Sequence, residues 1–580
     1  MPTRRDQRSV AAEQFLQDKQ AQEEKDLKEH GQIKHVSTFR QALPQVLAST
    51  AKNLILLDLG MTVAFPTIVI PVLLNSKTGL SFSTTTASWF GSVGFICQPL
   101  GSVLSGIVLE PLGRKYSMLL VNVPHIFGWY LFYTAGSLFT LFTAMIIMGL
   151  GVGFMEAPII TYVGEISEPR FRGMLTSYAG IFVSLGFVLI YAMGNFTDWQ
   201  HVAAISCSVP IITILAISQV PETPLWLLSR GRLEDAEKAL CWLRGWVEPR
   251  AVRQELSEMI RYSESSQLRK PQTAQLERAA YTNKVSLDDE EKGDKNSISL
   301  PAIDKSNNDI NKTSDTEKTS EFVNVDLADS SNTRQVSQIN NNGINLEKRN
   351  SDSVGAHETD WKVRLKDLVR PEMLRPLGLV IGFFFFLNAS GVTAMRPYFI
   401  KVFEKLDFPV SPLRSTVVFS MIQFAANILC MVTVRWTGKR PMALISLLAC
   451  AIATTTTGFY TLLSGPHIPS QSGWLPFFMF VVLQFFTGYG VAPVPWMLVS
   501  EVFPFRGRSL ASGVAAAASY ILGFVGTKTF LGLEMTLSLG GVFLLYGSLS
   551  FIGTVFLYYT MPETEGRSLE QIEMDYKTKK

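Results

Sequence analysis

Charged side chains recur at matched places along the sequence, and the chemistry that they offer is ion pairing. A carboxylate precedes an arginine by a few residues in three segments, which gives the pairs Glu110 with Arg114, Glu165 with Arg172 and Glu501 with Arg508. The planar guanidinium of Arg suits two-point pairing with a carboxylate and can join neighbouring helix ends. We predict that these six residues form a gate that closes and opens at one end of the protein. The alternative is that they are ordinary charges at a membrane surface.

Two further carboxylates, Asp58 and Glu156, lie inside apolar runs. A charged side chain in a membrane helix costs about 2.5–3.5 kcal/mol on insertion scales, so it usually has a partner or a function. One hypothesis is that these acids exchange protons and couple a proton or another cation to transport. The other is that they are hydrogen-bonded acids that brace a helix bundle. His125, in a similar run, is expected to be hydrogen-bonded within the bundle.

Residues for catalysis or metal binding are not grouped in this sequence. Five Cys are too few and too scattered for a disulfide framework, and they do not have metal-ligand spacing. We find no nucleophile with an adjacent base and no phosphate-binding loop. A net charge of +3 on 580 residues, without a basic block, does not favour nucleic acid as a partner. We therefore predict no enzyme, no cofactor and no metal site.

The elements that must position these charges are membrane helices. The chain is 47% hydrophobic and 17% charged, whereas a typical soluble protein is about 25% charged. A helix crosses the bilayer with about 20 mostly apolar residues. Runs of this kind occur at 51–74, 88–109, 116–136, 138–163, 175–194, 202–220, 376–397, 415–434, 441–463, 474–499, 510–531 and 540–560. They predict an all-α polytopic membrane protein with twelve transmembrane helices.

The two sets of six runs resemble each other. LEPLGRKYSM (109–118) follows the second run and VRWTGKRPMA (434–443) follows the eighth. VGEISEPRFRG (163–173) follows the fourth run and VSEVFPFRGRS (499–509) follows the tenth. Many secondary transporters are built from such repeats. We predict two pseudo-symmetric six-helix bundles, at 51–220 and 374–560.

Loop charges predict the orientation, because Lys and Arg concentrate in loops on the cytoplasmic side. On this basis the 1–50 segment, the 221–373 loop and the 561–580 tail lie in the cytoplasm of a cell-membrane protein, with both termini inside. Asn195, in the sequon Asn-Phe-Thr, falls outside and is a candidate glycosylation site. Residues 233–262 have helical spacing, whereas 263–357 have the composition of a disordered insert, through which a cytosolic partner could bind.

Three motifs carry a resemblance to a known family. PETPLWLLSRGR (221–232) follows the sixth run, PVPWMLVSEVFP (493–504) lies in the tenth, and PETEGRSLEQIE (562–573) follows the twelfth. They resemble the signatures of the sugar porter family of the major facilitator superfamily, and are similar to those of facilitative hexose carriers and arthropod trehalose carriers. Leu225 departs from the family's Arg. The resemblance implies a sugar transporter that works by alternating access.

The resemblance also implies where a cargo would bind. The family's polar contacts and its tenth-helix Trp fall on Asn388, Ser390, Thr393, Asn427 and Trp496. Other family positions have changed: the helix-five Gln falls on Gly180, a helix-ten acid on Gly488, the helix-four Arg on Met145, and the Asp of proton-coupled members on Thr62. Each lost hydrogen bond removes about 1 kcal/mol. We therefore expect the gate to be kept and the cargo preference to be altered.

The function that we predict is facilitated diffusion of a hexose, or of a disaccharide such as trehalose, with a small sugar and the lipid bilayer as partners. One alternative is a non-transporting nutrient sensor, which the long insert and the changed cargo contacts would suit. The other is a proton-coupled symporter, which would use Asp58 and Glu156.

Overall fold

The computed structural model describes residues 37–261 other than 75 and 78, then 371–464, 473–503, 508–565 and 567. Within these ranges the regular elements are helices, and an isolated bridge joins Leu74 to Phe82. The predicted insert at 263–357 and most of the predicted N-terminal segment lie outside the described residues, so those predictions stay predictions.

The first half of the fold begins with a long helix, α1 (Thr38–Leu73), which starts well before the predicted residue 51. The Ser37 side chain caps it by accepting the backbone N–H of Arg40, and Gln45 and Ser49 continue its buried face. The following helices are α2 (Thr84–Leu112), α3 (Arg114–Tyr133), α4 (Leu138–Ile166), α5 (Pro169–Gly194), and a sixth pass in two pieces, α6 (Trp199–Ser206) and α7 (Ser208–Ser218).

Short helices follow the sixth pass, as the spacing over 233–262 predicts. They are α8 (Pro224–Ser229), α9 (Leu233–Leu243) and a helix over 249–261. Trp226, Leu240 and Leu256 are among the side chains that form their shared apolar core. The Arg40 guanidinium donates to the Gly245 carbonyl at 3.1 Å, which attaches this small layer to the start of α1.

The second half repeats this order with more breaks. Its helices are α10 (Pro371–Ala389), α11 (Val392–Met395), a 3-10 turn (Arg396–Tyr398), α12 (Phe399–Lys405), α13 (Pro412–Thr437), α14 (Lys439–Leu463), α15 (Trp474–Phe486), a π-helical turn (Thr487–Val491), α16 (Pro493–Glu501) and α17 (Arg508–Thr560). Gly391, with a φ of 90°, separates α10 from α11, and the two pieces of this pass are bent by 46°. A left-handed residue of this kind suits Gly.

Helix lengths agree with a membrane protein. Eight helices in the described ranges are long and apolar enough to cross a bilayer, or nine if the bent pair counts as one span. The 53-residue α17 contains a non-helical Ser538 and at 1.5 Å per residue is long enough for two passes of a core about 30 Å thick. Each of the predicted apolar runs lies, to within about three residues at its ends, within a helix or within consecutive pieces of a broken helix.

Helices α2 and α4 pack with their backbones in close contact through glycines. A Cβ on Gly153 would lie 1.9 Å from the Gln98 carbonyl oxygen, and a Cβ on Gly149 would lie 2.5 Å from that of Gly94. Small residues at four-residue spacing permit such an approach between membrane helices. This contact positions Glu156, one turn further along α4.

We predict that Gly153→Val destabilises the fold, because its side chain would overlap the Gln98 backbone and overpacking costs about 1–3 kcal/mol. The measurement is the midpoint of thermal unfolding of the purified protein in detergent. Gly164→Val is the matched control on the same helix, because a Cβ there meets no atom within 4 Å. Equal midpoints for the two variants would contradict the close α2–α4 contact.

Candidate functional site

A backbone turn and two carboxylates form a cluster at the start of α3. Gly113 has a φ of 94°, and this left-handed conformation lets α3 begin directly after α2. Glu222, which follows the sixth pass, accepts the backbone N–H groups of Arg114 at 3.2 Å and Lys115 at 3.0 Å. The Arg114 guanidinium donates to Glu165, near the end of α4, at 3.1 and 2.8 Å. The start of the third pass is thereby tied to the ends of the fourth and the sixth.

The second half repeats this cluster at the start of α14. Gly438 has a φ of 79°, and Glu563, which follows α17, accepts the backbone N–H groups of Lys439 at 3.1 Å and Arg440 at 3.0 Å. The Lys439 ammonium donates to both oxygens of Glu501, at 2.7 and 2.8 Å. Two equivalent clusters therefore tie together equivalent helix ends.

The predicted gate residues are partly brought together. Glu165 and Glu501 are ion-paired, but with Arg114 and Lys439. The side chains of Arg172 and Arg508 lie outside those described, so their pairing stays a prediction. Glu110 is exposed, and its backbone carbonyl accepts the Trp226 indole at 3.0 Å. Each pair lies within one half and so does not directly join the two halves.

Sequence reasoning missed Glu222, Glu563 and Lys439. A usable signal was present, because Pro-Glu-Thr occurs after the sixth and the twelfth runs, at 221–223 and 562–564. Burial raises the pKa of Glu222, and the backbone N–H groups of Thr223, Lys115 and Arg114 and the Arg114 charge oppose that rise. A helix N-terminus favours a negative charge, so Glu222 suits this capping position.

The two ends of the bundle differ. We call the end with the clusters the Arg114 end and the other the Arg396 end. At the Arg396 end the halves are in contact: Thr67 of α1 donates to the Arg396 carbonyl at 2.8 Å, and Ser88 of α2 donates to the Lys528 carbonyl at 2.8 Å. The Lys528 ammonium also lies 3.9 Å from the centre of the Trp89 ring. These contacts close the Arg396 end.

At the Arg114 end a cleft lies between the halves. It is open to solvent and is lined by residues of α5, α13, α14, α16 and the 561–565 segment. The lining residues are Gly173, Met174, Thr176, Ser177, Met431, Val434, Arg435, Lys439, Met497, Glu501 and Glu565. Arg435 reaches across to the Arg170 carbonyl at 3.2 Å. The charged helix ends of the second half therefore border the cleft.

Two of the predicted cargo residues are buried amides on different helices of the second half. Asn427 of α13 donates to the Gln423 carbonyl at 2.9 Å, and Asn388 of α10 donates to the Phe384 carbonyl at 2.8 Å. Asn427 Oδ1 lies 2.9 Å from where a Cβ on Gly180 of the first half would stand. Gly180 and Asn427 occupy two positions at which the family resemblance implies cargo contacts. These two positions thus face each other across the halves.

The other predicted cargo residues have different surroundings. Trp496 is half-buried, with its ring centre 4.9 Å from that of Phe384 and 6.3 Å from that of Tyr520. Ser390 is fully buried, and its hydroxyl donates to the Leu387 carbonyl at 2.7 Å. Thr393 is half-buried on α11. Of the five predicted cargo residues, Asn427 is the one whose side chain directly faces the first half.

Asp58 is paired inside the first half. One carboxylate oxygen accepts the Trp129 indole at 2.7 Å, and the other contacts His125 Nδ1. All three side chains are buried, and both partners lie on α3. The arrangement agrees with the hypothesis of a brace.

Glu156 has a different environment from Asp58. Its carboxylate lies close to the side chains of Tyr520 and Ser102, and Tyr520 belongs to the second half. Its Oε2 is buried and has no hydrogen-bond partner within the described ranges. The carboxylates of Asp58 and Glu156 therefore do not share a partner.

Two sequence predictions remain, namely glycosylation of Asn195 and the absence of a metal site. Asn195 caps the end of α5, at the Arg396 end, and is half-buried. Among the described residues, no group of three or more His, Cys, Asp or Glu side chains could hold a metal ion.

Comparison with protein families gives one match over most of the chain. The profile described as "Sugar (and other) transporter" matches residues 12–285 and 318–576. The chain is 26% identical over 535 residues to the "Facilitated trehalose transporter Tret1" of Culex quinquefasciatus, covering 91% of this chain and 85% of the relative. It is 27% identical to the proteins of the same name from Aedes aegypti and Polypedilum vanderplanki, of which it spans 54% and 87%. It thus spans only about half of the Aedes aegypti relative.

Solved structures show the same fold. The proton:xylose symporter XylE of the major facilitator superfamily, bound to 6-bromo-6-deoxy-D-glucose, superposes with a TM-score of 0.63 at 18% identity, over 92% of this chain and 100% of that one. The inward open conformation of XylE from E. coli gives a TM-score of 0.59 at 18% identity, over 91% and 98%. The chain therefore has the major facilitator fold.

We predict that Arg114 and Glu165 are energetically coupled. A double-mutant cycle with Arg114→Ala and Glu165→Ala should give a coupling of about 1 kcal/mol in the free energy of unfolding, because neighbouring paired groups typically couple by about 0.5–3 kcal/mol.

The control is the exposed pair Arg232 and Asp235, whose side chains are 55% and 42% accessible. Its coupling should be close to zero, since solvent screens exposed pairs. A coupling at Arg114 and Glu165 no larger than that of the control would remove their assigned role in fixing the helix ends.

Proposed function

The chain belongs to the family of sugar (and other) transporters, and we propose that it is a facilitative carrier that moves a hexose, or a disaccharide such as trehalose, by alternating access. It is a multi-pass membrane protein and a transporter, not an enzyme. The observation that carries the proposal is the difference between the two ends: several contacts join the halves at the Arg396 end, whereas at the Arg114 end an open cleft lies between them and Arg435 bridges it to the Arg170 carbonyl.

The cargo binds between the halves, near Asn427. This proposal is supported by the facing positions of Asn427 and Gly180, because a glycine there lets the amide oxygen approach α5 of the first half closely. Asn388 provides a second amide, and Trp496 provides an aromatic wall against Phe384. Ser390 and Thr393 lie on either side of Gly391, at the bend that follows α10. The name of the mosquito and midge relatives supports trehalose as the cargo to test first.

The gate lies at the Arg114 end. Arg114 with Glu165, and Lys439 with Glu501, hold the helix ends of each half together while the halves move. Glu110, Arg172 and Arg508 complete this charged layer in our proposal. Its support is the repetition of the same cluster in both halves, which is expected when each half moves as a unit.

Asp58 does not couple transport to protons in our proposal. Both Asp58 oxygens have partners inside the first half, which supports a brace rather than a site that exchanges protons. Thr62 stands where the resemblance would place the coupling Asp, and its hydroxyl donates to the Asp58 carbonyl at 2.9 Å. Glu156, near Tyr520 of the other half, is the remaining candidate for coupling.

The orientation follows from the loop charges. The Arg114 end carries Arg114, Lys115, Arg170, Arg435 and Arg440, and the positive-inside rule supports placing it in the cytoplasm. In this orientation both termini are cytoplasmic, the protein lies in the cell membrane, Asn195 faces outward and accepts a glycan, and the 263–357 insert is available to a cytosolic partner.

We predict that the purified protein in proteoliposomes exchanges labelled trehalose or glucose for unlabelled sugar, and that an imposed pH gradient produces no accumulation. Asp58→Asn is compared with the wild-type protein under the same conditions. Accumulation that follows the gradient in the wild-type protein and disappears in Asp58→Asn would establish a proton-coupled symporter. Sugar binding without any exchange would favour the sensor alternative.

We predict that Asn427→Ala raises the KM for the transported sugar about tenfold, because it removes polar contacts worth about 1 kcal/mol or slightly more. Asn122→Ala is the matched control. Asn122 is also buried on a membrane helix and donates to the carbonyl four residues earlier, that of Met118, at 2.8 Å. If both variants keep the wild-type KM, the cargo site lies elsewhere.

A further inference from the structure

Arg396 is a buried cation between the two halves. It begins the 3-10 turn Arg396–Tyr398, beyond the bend at Gly391, and only 6% of its surface is accessible. Its backbone carbonyl accepts Thr67 of α1. An arginine at this depth is costly unless a counter-charge is provided.

Aromatic rings lie close to its guanidinium. The central carbon lies 4.0 Å from the ring centre of Phe187, on α5 of the first half, and 5.8 Å from that of Phe399. Such rings attract the cation but accept no conventional hydrogen bonds from its N–H groups. The hydrogen-bonding capacity of the guanidinium therefore remains for polar groups that approach it.

That hydrogen-bonding capacity is mostly unused. Nη2 donates to Gln423 Oε1 at 3.3 Å, whereas a guanidinium has five N–H donors. Within the described ranges, the Arg396 guanidinium forms no ion pair with an Asp or Glu side chain and no further hydrogen bond. Buried arginines are normally paired with an anion, so the Arg396 guanidinium suits an anionic ligand.

Arg396 lies close to the predicted cargo residues. Gln423 and Asn427 are four residues apart on α13 and so lie on one face, one turn apart. Asn427 Nδ2 donates to the Gln423 carbonyl. On α5, Gly180 lies opposite Asn427 and Phe187 lies against Arg396. The guanidinium is therefore at the closed side of the cargo site, about one to two helical turns beyond Asn427.

We propose that Arg396 is a specificity-determining residue that binds a carboxylate on the cargo, so that the carrier accepts a sugar acid such as a hexuronate in addition to neutral sugars. A carboxylate matches the two-point donor geometry of a guanidinium and supplies the missing charge. A neutral sugar can accept hydrogen bonds from Arg396 but leaves its charge uncompensated. This inference rests on the proposed transport function and assigns the chemical class of its cargo.

A purely structural role for Arg396 makes a different prediction. If the guanidinium only holds the Arg396 end closed against Phe187, its removal changes the transport of neutral and acidic sugars alike. If it binds a carboxylate, its removal affects the acidic sugar selectively. The ratio of KM values for the two sugars separates these roles, because a general change in the conformational equilibrium cancels in the ratio.

The experiment measures uptake of labelled D-glucuronate and D-glucose by proteoliposomes with wild-type, Arg396→Gln or Lys528→Gln protein. Lys528 is the matched control, since it is also a cation over an aromatic ring between the halves. We expect Arg396→Gln to raise the KM for glucuronate by about tenfold or more, with little change for glucose. Lys528→Gln should leave the KM ratio of the two sugars unchanged.

Two results would overturn the proposal. One is that glucuronate fails to compete with glucose for uptake by the wild-type protein. The other is that Arg396→Gln changes the KM of both sugars equally. If the wild-type protein takes up no sugar at all, the transport function fails, and tryptophan fluorescence of the purified protein titrated with glucuronate decides on Arg396. Binding that is equal in wild-type and Arg396→Gln protein, or absent from both, then counts against it.

Discussion

The backbone N–H groups at the start of a membrane helix need acceptors, and Glu222 and Glu563 supply them at the start of α3 and of α14. Each carboxylate follows the last pass of its own half, so each contact connects the third pass to the sixth. The preceding glycines are part of the same constraint. A Cβ on Gly113 or Gly438 would lie 2.4 or 2.6 Å from the capping carboxylate. The clusters therefore connect the ends of each half.

Contacts between the halves are of a different kind. Within the first half, backbones approach closely at glycines, as Gly60 does at the Val183 carbonyl. Between the halves, the Arg396 end is held by hydroxyl–carbonyl bonds from Thr67 and Ser88 and by cations over aromatic rings. Such contacts can be broken and remade more easily than packed backbones. This difference suits two units that move relative to each other.

Buried charged groups also differ according to whether they lie within one half or between the two halves. Asp58 is satisfied by His125 and Trp129 within one half, so it contributes to the stability of that half. Arg396 and Glu156 face the opposite half and keep unused hydrogen-bonding capacity in the described part of the chain. Buried polar groups without partners are expensive. Their position between the halves is where a cargo or a change of conformation can provide the partner.

The sequence by itself determined the class of the protein, because a long apolar run has few stable forms other than a membrane helix. It also determined the repeat, through matched loop motifs, and it identified Arg114, Glu165 and Glu501 as charges at helix ends. Asn427 and Trp496 were identified as candidate cargo residues only through the family resemblance. The bounds of helices were less well determined, as the early start of α1 shows.

Only the tertiary structure decided which charges meet. Glu165 was assigned by proximity in the sequence to Arg172, whereas the ion pair in the structure is with Arg114, because the ends of α3 and α4 are adjacent in space. The partners of Asp58 on α3, and the burial of Arg396 against Phe187, likewise depend on helices that are distant in sequence. Hydropathy fixes which segments enter the membrane, but pairing depends on the rotation and packing of each helix against its neighbours.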